Sequence, residues 1–306
     1  WLFRLKTDDG GSDGHSIAWR QLSRTTGQGL YTKDDKLITD GYFQLGEFSA
    51  SRIRMAVSPD GKWIYLSGLA FGRGCAGVYR MDTASRDAMG KAPWLGKDGE
   101  PGQDNSHFSS PAGIDCDSKG RVYVCDTINN RIQVYAPEGA YLKTIPADSP
   151  YLVRVHPKTG GVYVVHKGRE QGRSFLALSK LGNLEDARKT ASFQISDTDA
   201  LGPDTILSLD AWASPSRVWV TRGKDHLVVL EEQETGFRVI RDFLEDAEKT
   251  GVPHQGMTDP LFAKVSCDPL REKLYFRNYN LFDLASGRSE GRVGFPYSTD
   301  DIAFDK

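Results

Sequence analysis

Repetition constrains this chain more than any other feature. The segment 111–135 reads PAGIDCDSKGRVYVCDTINNRIQVY and holds three short β-type runs, at 113–116, 121–125 and 131–135. A turn over 117–120 (Asp-Ser-Lys-Gly) separates the first two, and 127–130 separates the second pair. The stretch 141–145, after Glu138-Gly139, supplies a fourth strand. Four short antiparallel strands joined by tight turns make one self-contained sheet unit.

The first strand and turn of that unit recur. The pattern returns at 54–66 (RMAVSPDGKWIYL), 152–165 (LVRVHPKTGGVYVV), 208–220 (SLDAWASPSRVWV), 263–276 (AKVSCDPLREKLYF) and 300–306 (DDIAFDK). Aligned on one apolar residue, the markers are Met55, Ile114, Val153, Leu209, Val265 and Ile302, separated by 59, 39, 56, 56 and 37 residues. Those separations match a repeat of about 40 to 50 residues with insertions in loops. No unit has a face large enough to bury alone, so stacking around an axis must provide the core. The expectation is an all-β chain: a six-bladed β-propeller of four-stranded antiparallel blades. The last first strand, at 301–305, lacks partners of its own, and loose strand candidates lie at 1–6 and 42–48. Pairing the two ends would close the ring and remove its free edges. Only 183–190 and 242–250 carry short helical patterns, both in insertions.

Residues 111–135 closely resemble the NHL repeat. Pro111, Gly113, Ile114, Asp117, Gly120, Val122, Tyr123, Val124, Asp126, Asn129, Arg131, Ile132 and Val134 fall where that pattern expects them. The other five units match in their first two strands and depart from the Asp–Asn–Arg signature. The resemblance implies a toroid of four-stranded blades around a central channel. It implies no single activity, since similar propellers include protein- and RNA-binding modules, lyases and lactonase-like hydrolases. It also implies that Asp126, Asn129 and Arg131 form a brace between strands, a charge-assisted clasp across a tight loop.

Bulk properties narrow the field. Lys and Arg total 39 against 41 Asp and Glu, without a basic stripe, so the chain is not expected to bind nucleic acid. No run of about 18 apolar residues exists, so no membrane span is expected. The chain starts at Trp1 with neither an initiator Met nor a signal-like stretch. We expect one propeller domain, 1–306, cut from a longer protein. Compartment stays open, with an extracellular or periplasmic setting as the expectation. Cys75, Cys116, Cys125 and Cys267 form no CxxC pair. Cys116 and Cys125 lie on the two arms of one hairpin, where buried free thiols are expected over a geometrically demanding disulfide.

Candidate sites follow from the alignment. Beside the apolar markers sit Arg54, Asp115, Arg154, Asp210, Lys264 and Asp301, in one register on the face opposite the marker. Innermost strands line a propeller's channel, so these residues form either a polar binding mouth or a ring of compensating ion pairs. Of the six histidines, His107 precedes the first strand of the best unit. There it resembles the entry position from which peptide-amidating lyases of this fold present zinc-binding histidines. Zinc wants three protein ligands, and the equivalent stretches of the other units hold no His. His107 is the one metal candidate, and His156 reads as a surface turn residue. Acidic loops at 8–14 and at Asp197, Asp199 and Asp204 are oxygen-rich without EF-hand spacing, so zinc and calcium are both open as cofactors. No nucleophile elbow, P-loop or dinucleotide fingerprint occurs. The leading expectation is a non-catalytic binding or scaffold propeller that recognises a protein, peptide or glycan at the channel mouth. The alternative is a metal-dependent lyase or hydrolase using His107 with Arg54, Arg154 and Asp210, so enzyme status stays open.

Overall fold

The computed structural model describes residues 2–5, 39–43, 49–70, 77–82, 92–97, 99–199, 205–222, 226–242, 245, 265–268, 273–276, 280–283 and 289–292. Among the described residues, every regular element longer than one residue is a strand. Two N-terminal strands, β1 (Leu2–Leu5) and β2 (Thr39–Phe43), pair with each other. The first blade then runs β3 (Ser49–Val57), β4 (Trp63–Ala70), β5 (Gly77–Asp82) and β6 (Leu95–Gly96). The second is β7 (Pro111–Cys116), β8 (Val122–Asp126), β9 (Arg131–Tyr135) and β10 (Tyr141–Pro146). The third is β11 (Leu152–Val155), β12 (Val162–Glu170), β13 (Arg173–Leu181) and β14 (Lys189–Ser196). The fourth is β15 (Leu207–Asp210), β16 (Arg217–Arg222), β17 (His226–Glu232) and β18 (Phe237–Asp242). A further sheet comprises β19 (Val265–Asp268), β20 (Lys273–Phe276), β21 (Asn280–Asp283) and β22 (Ser289–Arg292). Each sheet is an antiparallel meander in chain order.

Period-two alternation explains why these strands stack into a propeller. On β8, Val122 and Val124 pack toward Ala56, Tyr65 and Val78 of the first blade, while Tyr123 and Cys125 pack toward Val153, Val155 and Val162 of the third. On β12, Val162 and Val164 face the second blade, and Tyr163 and Val165 meet Leu209, Val218 and Val220 of the fourth. Both faces of each middle strand are covered, so these strands read as continuous apolar runs. Burial of each such Val, Leu or Ile stabilises by about 1.5–3 kcal/mol. First strands lie side by side, β3 with β7, β7 with β11, β11 with β15 and β15 with β19.

The expected six blades in a closed ring are not what the described residues form. Four consecutive blades are described with their packed cores, and the β19–β22 sheet is described by its strands. The expected last first strand, 301–305, lies outside the described residues. At the other end β1 takes β2 as its partner, Leu2 opposite Phe43, in a separate two-stranded ribbon. That second N-terminal strand spans Thr39–Phe43 rather than 42–48.

The helical pattern at 183–190 is also overturned. This stretch is irregular up to β14, because Asn183 Oδ1 accepts the Asp186 N–H at 3.1 Å and Gly182 N–H reaches the Arg188 carbonyl at 2.9 Å. Those contacts close a compact loop that drops Leu184 into the core. Of 242–250, Asp242 ends β18 and most of the rest lies outside the described residues.

Candidate functional site

The axial strands carry the candidate mouth. Arg54 on β3, Asp115 on β7, Arg154 on β11 and Asp210 on β15 lie on consecutive neighbouring strands but not at one level: Arg54 stands three residues before the end of its strand, Asp115 and Arg154 one before, and Asp210 ends its strand. Lys264 and Asp301 lie outside the described residues. Arg54, Asp115 and Asp210 are buried and Arg154 is half-buried. Arg54 donates to the Ile53 carbonyl at 3.2 Å, and its guanidinium lies 5.9 Å from the centre of the Tyr151 ring. Arg154 donates to the carbonyls of Val153 (3.1 Å) and Ile114 (3.4 Å). Asp115 Oδ2 accepts the Val155 N–H of the next blade at 2.7 Å. Asp210 Oδ1 accepts the N–H groups of Trp212 (3.2 Å) and Ala213 (3.1 Å). The carboxylates therefore brace backbone, and the two arginines lie on alternate strands.

Close blade contact holds these strands together. Gly113 N–H donates to the Tyr151 carbonyl at 2.8 Å. A Cβ on Gly113 would stand 2.6 Å from that oxygen, so only glycine lets β7 and β11 approach this far. Ser67 donates to the Ala112 carbonyl, tying the first blade to the second. Cys267 N–H donates to Ser208 Oγ at 2.9 Å, tying β19 to β15. Tyr151 and Ser67 escaped the sequence reading, because neither belongs to the marker register. The one available signal was an aromatic residue at the entry to a first strand.

The Asp–Asn–Arg signature moors a loop rather than presenting a reactive group. Asp126 is 0% exposed, and its Oδ2 accepts Arg131 Nε and Asn129 Nδ2, each at 2.8 Å, while Oδ1 accepts the Ser109 N–H at 2.7 Å. Arg131 then donates to the carbonyls of Gln103 (2.6 Å), Asp104 (2.8 Å) and His107 (3.0 Å). Asn129 reaches the Gly102 carbonyl at 2.7 Å and Tyr135 the Asn105 carbonyl at 3.0 Å. The clasp thus fixes the loop that carries His107, not only the strands beside it.

On that loop His107 Nδ1 lies 2.7 Å from Asp104 Oδ1 and 3.2 Å from Ser106 Oγ. The imidazole, helped by Ser106, holds the Asp104 carboxyl far below the usual carboxylate range. Such a pair fixes the imidazole tautomer and leaves Nε2 as the acceptor. Among the described residues no three His, Cys, Asp or Glu side chains stand close enough to hold a metal ion. Of the acidic loops, Asp199 pairs with Lys167 at 2.5 Å and Asp197 accepts Gln194 Nε2 at 2.8 Å, while 8–14 and Asp204 lie outside the described residues.

His156 is not the surface residue that its turn position suggested. It is 5% exposed. It takes the role that Asp117 plays one blade earlier, where Oδ1 accepts the N–H groups of Lys119 (2.9 Å) and Arg121 (3.0 Å). A side-chain acceptor is what the turn needs, and an imidazole nitrogen serves. Cys116 and Cys125 are buried free thiols, and burial pushes the Cys125 thiol well above its ordinary value. Among the described residues no helix is long and apolar enough to cross a membrane.

No curated protein matches the chain. Among solved structures, the hydrazine synthase of Kuenenia stuttgartiensis is similar at 16% identity and a TM-score of 0.42, over 66% of this chain and 52% of that one. A candidate 6-phosphogluconolactonase from Bacteroides uniformis is similar at 14% identity and a TM-score of 0.46, over 69% of this chain and 62% of that one. The match thus spans less than two thirds of either structure. The NHL repeat family matches residues 108–135, the second blade with the end of its moored loop. That segment is an NHL repeat, and the chain around it folds as a β-propeller.

Proposed function

We propose that this chain is a single propeller domain, 1–306, with six blades and paired ends, which binds a protein, peptide or glycan at its channel mouth without catalysing a reaction there. The observation that carries this reading is the run Arg54, Asp115, Arg154 and Asp210 along four neighbouring axial strands. Cation and carboxylate alternate along that run, and Lys264 and Asp301 continue the alternation in sequence. A mouth of this kind suits a ligand rich in mixed charges and hydrogen-bonding groups, such as a peptide. The far face of the first blade supports closure. Ile64, Leu66, Tyr79 and Met81 are buried there, and among the described residues their cluster draws on the first blade alone, as an adjoining layer outside the described residues would leave it.

Screening the chain on peptide and glycan arrays tests the reading. A bound ligand is expected to lose about tenfold affinity with Arg54→Ala, a change of roughly 1.4 kcal/mol. Binding that survives both Arg54→Ala and Arg154→Ala unchanged would overturn it, as would a blank on both arrays. One observation favours the second reading, a metal-dependent lyase or hydrolase: the Asp104–His107 pair, which leaves Nε2 of the imidazole as an acceptor. Elemental mass spectrometry on protein purified without chelator separates the two. Zinc or calcium near one per chain, lost in His107→Ala, would favour the second.

A further inference from the structure

The turn between β11 and β12 is built around His156, which the channel mouth does not use. Its Nδ1 accepts the backbone N–H groups of Lys158 at 3.1 Å and Thr159 at 3.2 Å. That nitrogen must keep its lone pair, so the ring proton sits on Nε2 and donates to Ser216 Oγ at 3.2 Å. Ser216 lies in the loop between β15 and β16 of the next blade. One buried imidazole therefore closes a turn and ties the third blade to the fourth.

Burial and the neighbouring charges together set how readily this imidazole takes a proton. Lys158 in the same turn, Lys180 on β13 and Glu232 at the end of β17 all act on the ring. Glu232 is already engaged: it forms an ion pair with Lys180, and Tyr163 on β12 donates to its Oε2 at 2.6 Å. Burial first, then the Lys180 charge, holds His156 below the usual imidazole range, with Glu232 opposing. The same turn position in the first two blades holds Ser58, whose Oγ accepts the Trp63 N–H at 2.9 Å, and Asp117. Hydroxyl and carboxylate acceptors keep their lone pairs in mild acid, whereas an imidazole gives up its acceptor when it takes a proton.

We propose that His156 is an acid-operated latch between the third and fourth blades. A solvent proton taken at Nδ1 would point N–H at two backbone N–H donors, so the ring must leave the turn and release Ser216. The latch lies on the seam between β11 and β15, which carry Arg154 and Asp210. Its consequence for ligand binding rests on the proposed mouth, whereas the latch itself does not.

Hydrogen exchange of the whole chain at pH 7.5 and 5.5, corrected for intrinsic rates, tests this. The folded form resists the proton, so the stabilisation is complete above about pH 6.5 and fades as pH falls below it toward the lower folded-state value. Protection over 156–161 and 213–217 is expected to fall together by up to roughly tenfold at pH 5.5. The Asp117 turn, 117–121, serves as the internal reference and holds. His156→Asn keeps an acceptor without a titrating proton and is expected to hold protection at both pH values. Equal acid sensitivity in wild type and His156→Asn overturns the latch, as does an insensitive wild type. His156→Asp, which copies the neighbouring blade, replaces the asparagine variant if that one fails to fold. Should neither fold, imidazole nitrogen resonances of the wild type decide: a proton on Nδ1 at pH 7.5 overturns the proposal, and one on Nε2 alone supports it.

Discussion

The second and third blades have matching cores and different loops. In the second, β8 ends at Asp126, and a buried carboxylate–guanidinium clasp reaches out to hold the loop over 102–109. In the third, β12 and β13 continue pairing as far as Glu170 opposite Arg173. They then turn over Gln171 (φ 48°) and Gly172 (φ 78°), both left-handed, as a two-residue hairpin of that twist requires. His166 stands where Asp126 would. It donates from Nδ1 to the Lys167 carbonyl at 2.8 Å and accepts Ser179 Oγ on Nε2 at 2.8 Å. One blade uses buried charge to organise a distant loop, and the other uses a local turn. The core supports either, because its apolar faces lie inside the sheets and the loops do not. The signature therefore marks loop mooring, which explains why a single blade carries it without the fold changing.

The largest test breaks the clasp. Asp126→Ala strands the Arg131 guanidinium without a counter-charge and leaves the Ser109 N–H unpaired, a cost of about 3–5 kcal/mol in urea unfolding. His166→Ala in the third blade is expected to cost about 1 kcal/mol. Equal losses would erase the distinction between the blades. Next comes Gly113→Ala, whose added carbon meets the Tyr151 carbonyl at 2.6 Å. A loss of about 1–3 kcal/mol is expected by the same assay. Gly161→Ala in the third blade meets nothing nearer than 3.4 Å and should stay within about 0.5 kcal/mol. Gly120 sits at φ 77°, so Gly120→Val is expected to lose about 1–2 kcal/mol, read by calorimetry.

The smallest effect separates the blades by pH. His156 and His166 are both held below the ordinary imidazole range, chiefly by burial. The unfolded chain therefore takes up protons first as pH drops. Their contribution is complete above about pH 6.5 and fades below it, so the melting temperature should fall by about 2 °C between pH 7.5 and 6. The double variant His156→Asn, His166→Asn should flatten that slope. A slope unchanged in the double variant would move acid sensitivity away from the third blade.

Legibility followed the range of the interaction. The strand at 131–135 is found at Arg131–Tyr135 as expected, and the other three strands of that blade agree to within two residues at each end. Alternating apolar residues and a glycine at a left-handed turn are local properties, visible in a few residues of sequence. The placing of Arg54, Asp115, Arg154 and Asp210 on first strands was legible for the same reason, but their differing distances from the strand ends were not. The irregular loop before β14, within the expected helix at 183–190, was not, because its helical composition lost to a side-chain bond from Asn183 and to the burial of Leu184.

By itself the sequence determined the strand units, their turns, the repeat and the side of each strand that its residues take. Tertiary structure alone decided what those residues meet: the loop that Arg131 holds, the carbonyl that excludes a side chain at Gly113, and the neighbouring blade that buries His156. The physical reason is distance along the chain. Backbone preference and alternation act between near neighbours, whereas burial and charge pairing depend on segments 24 to 60 residues apart that meet only when blades stack.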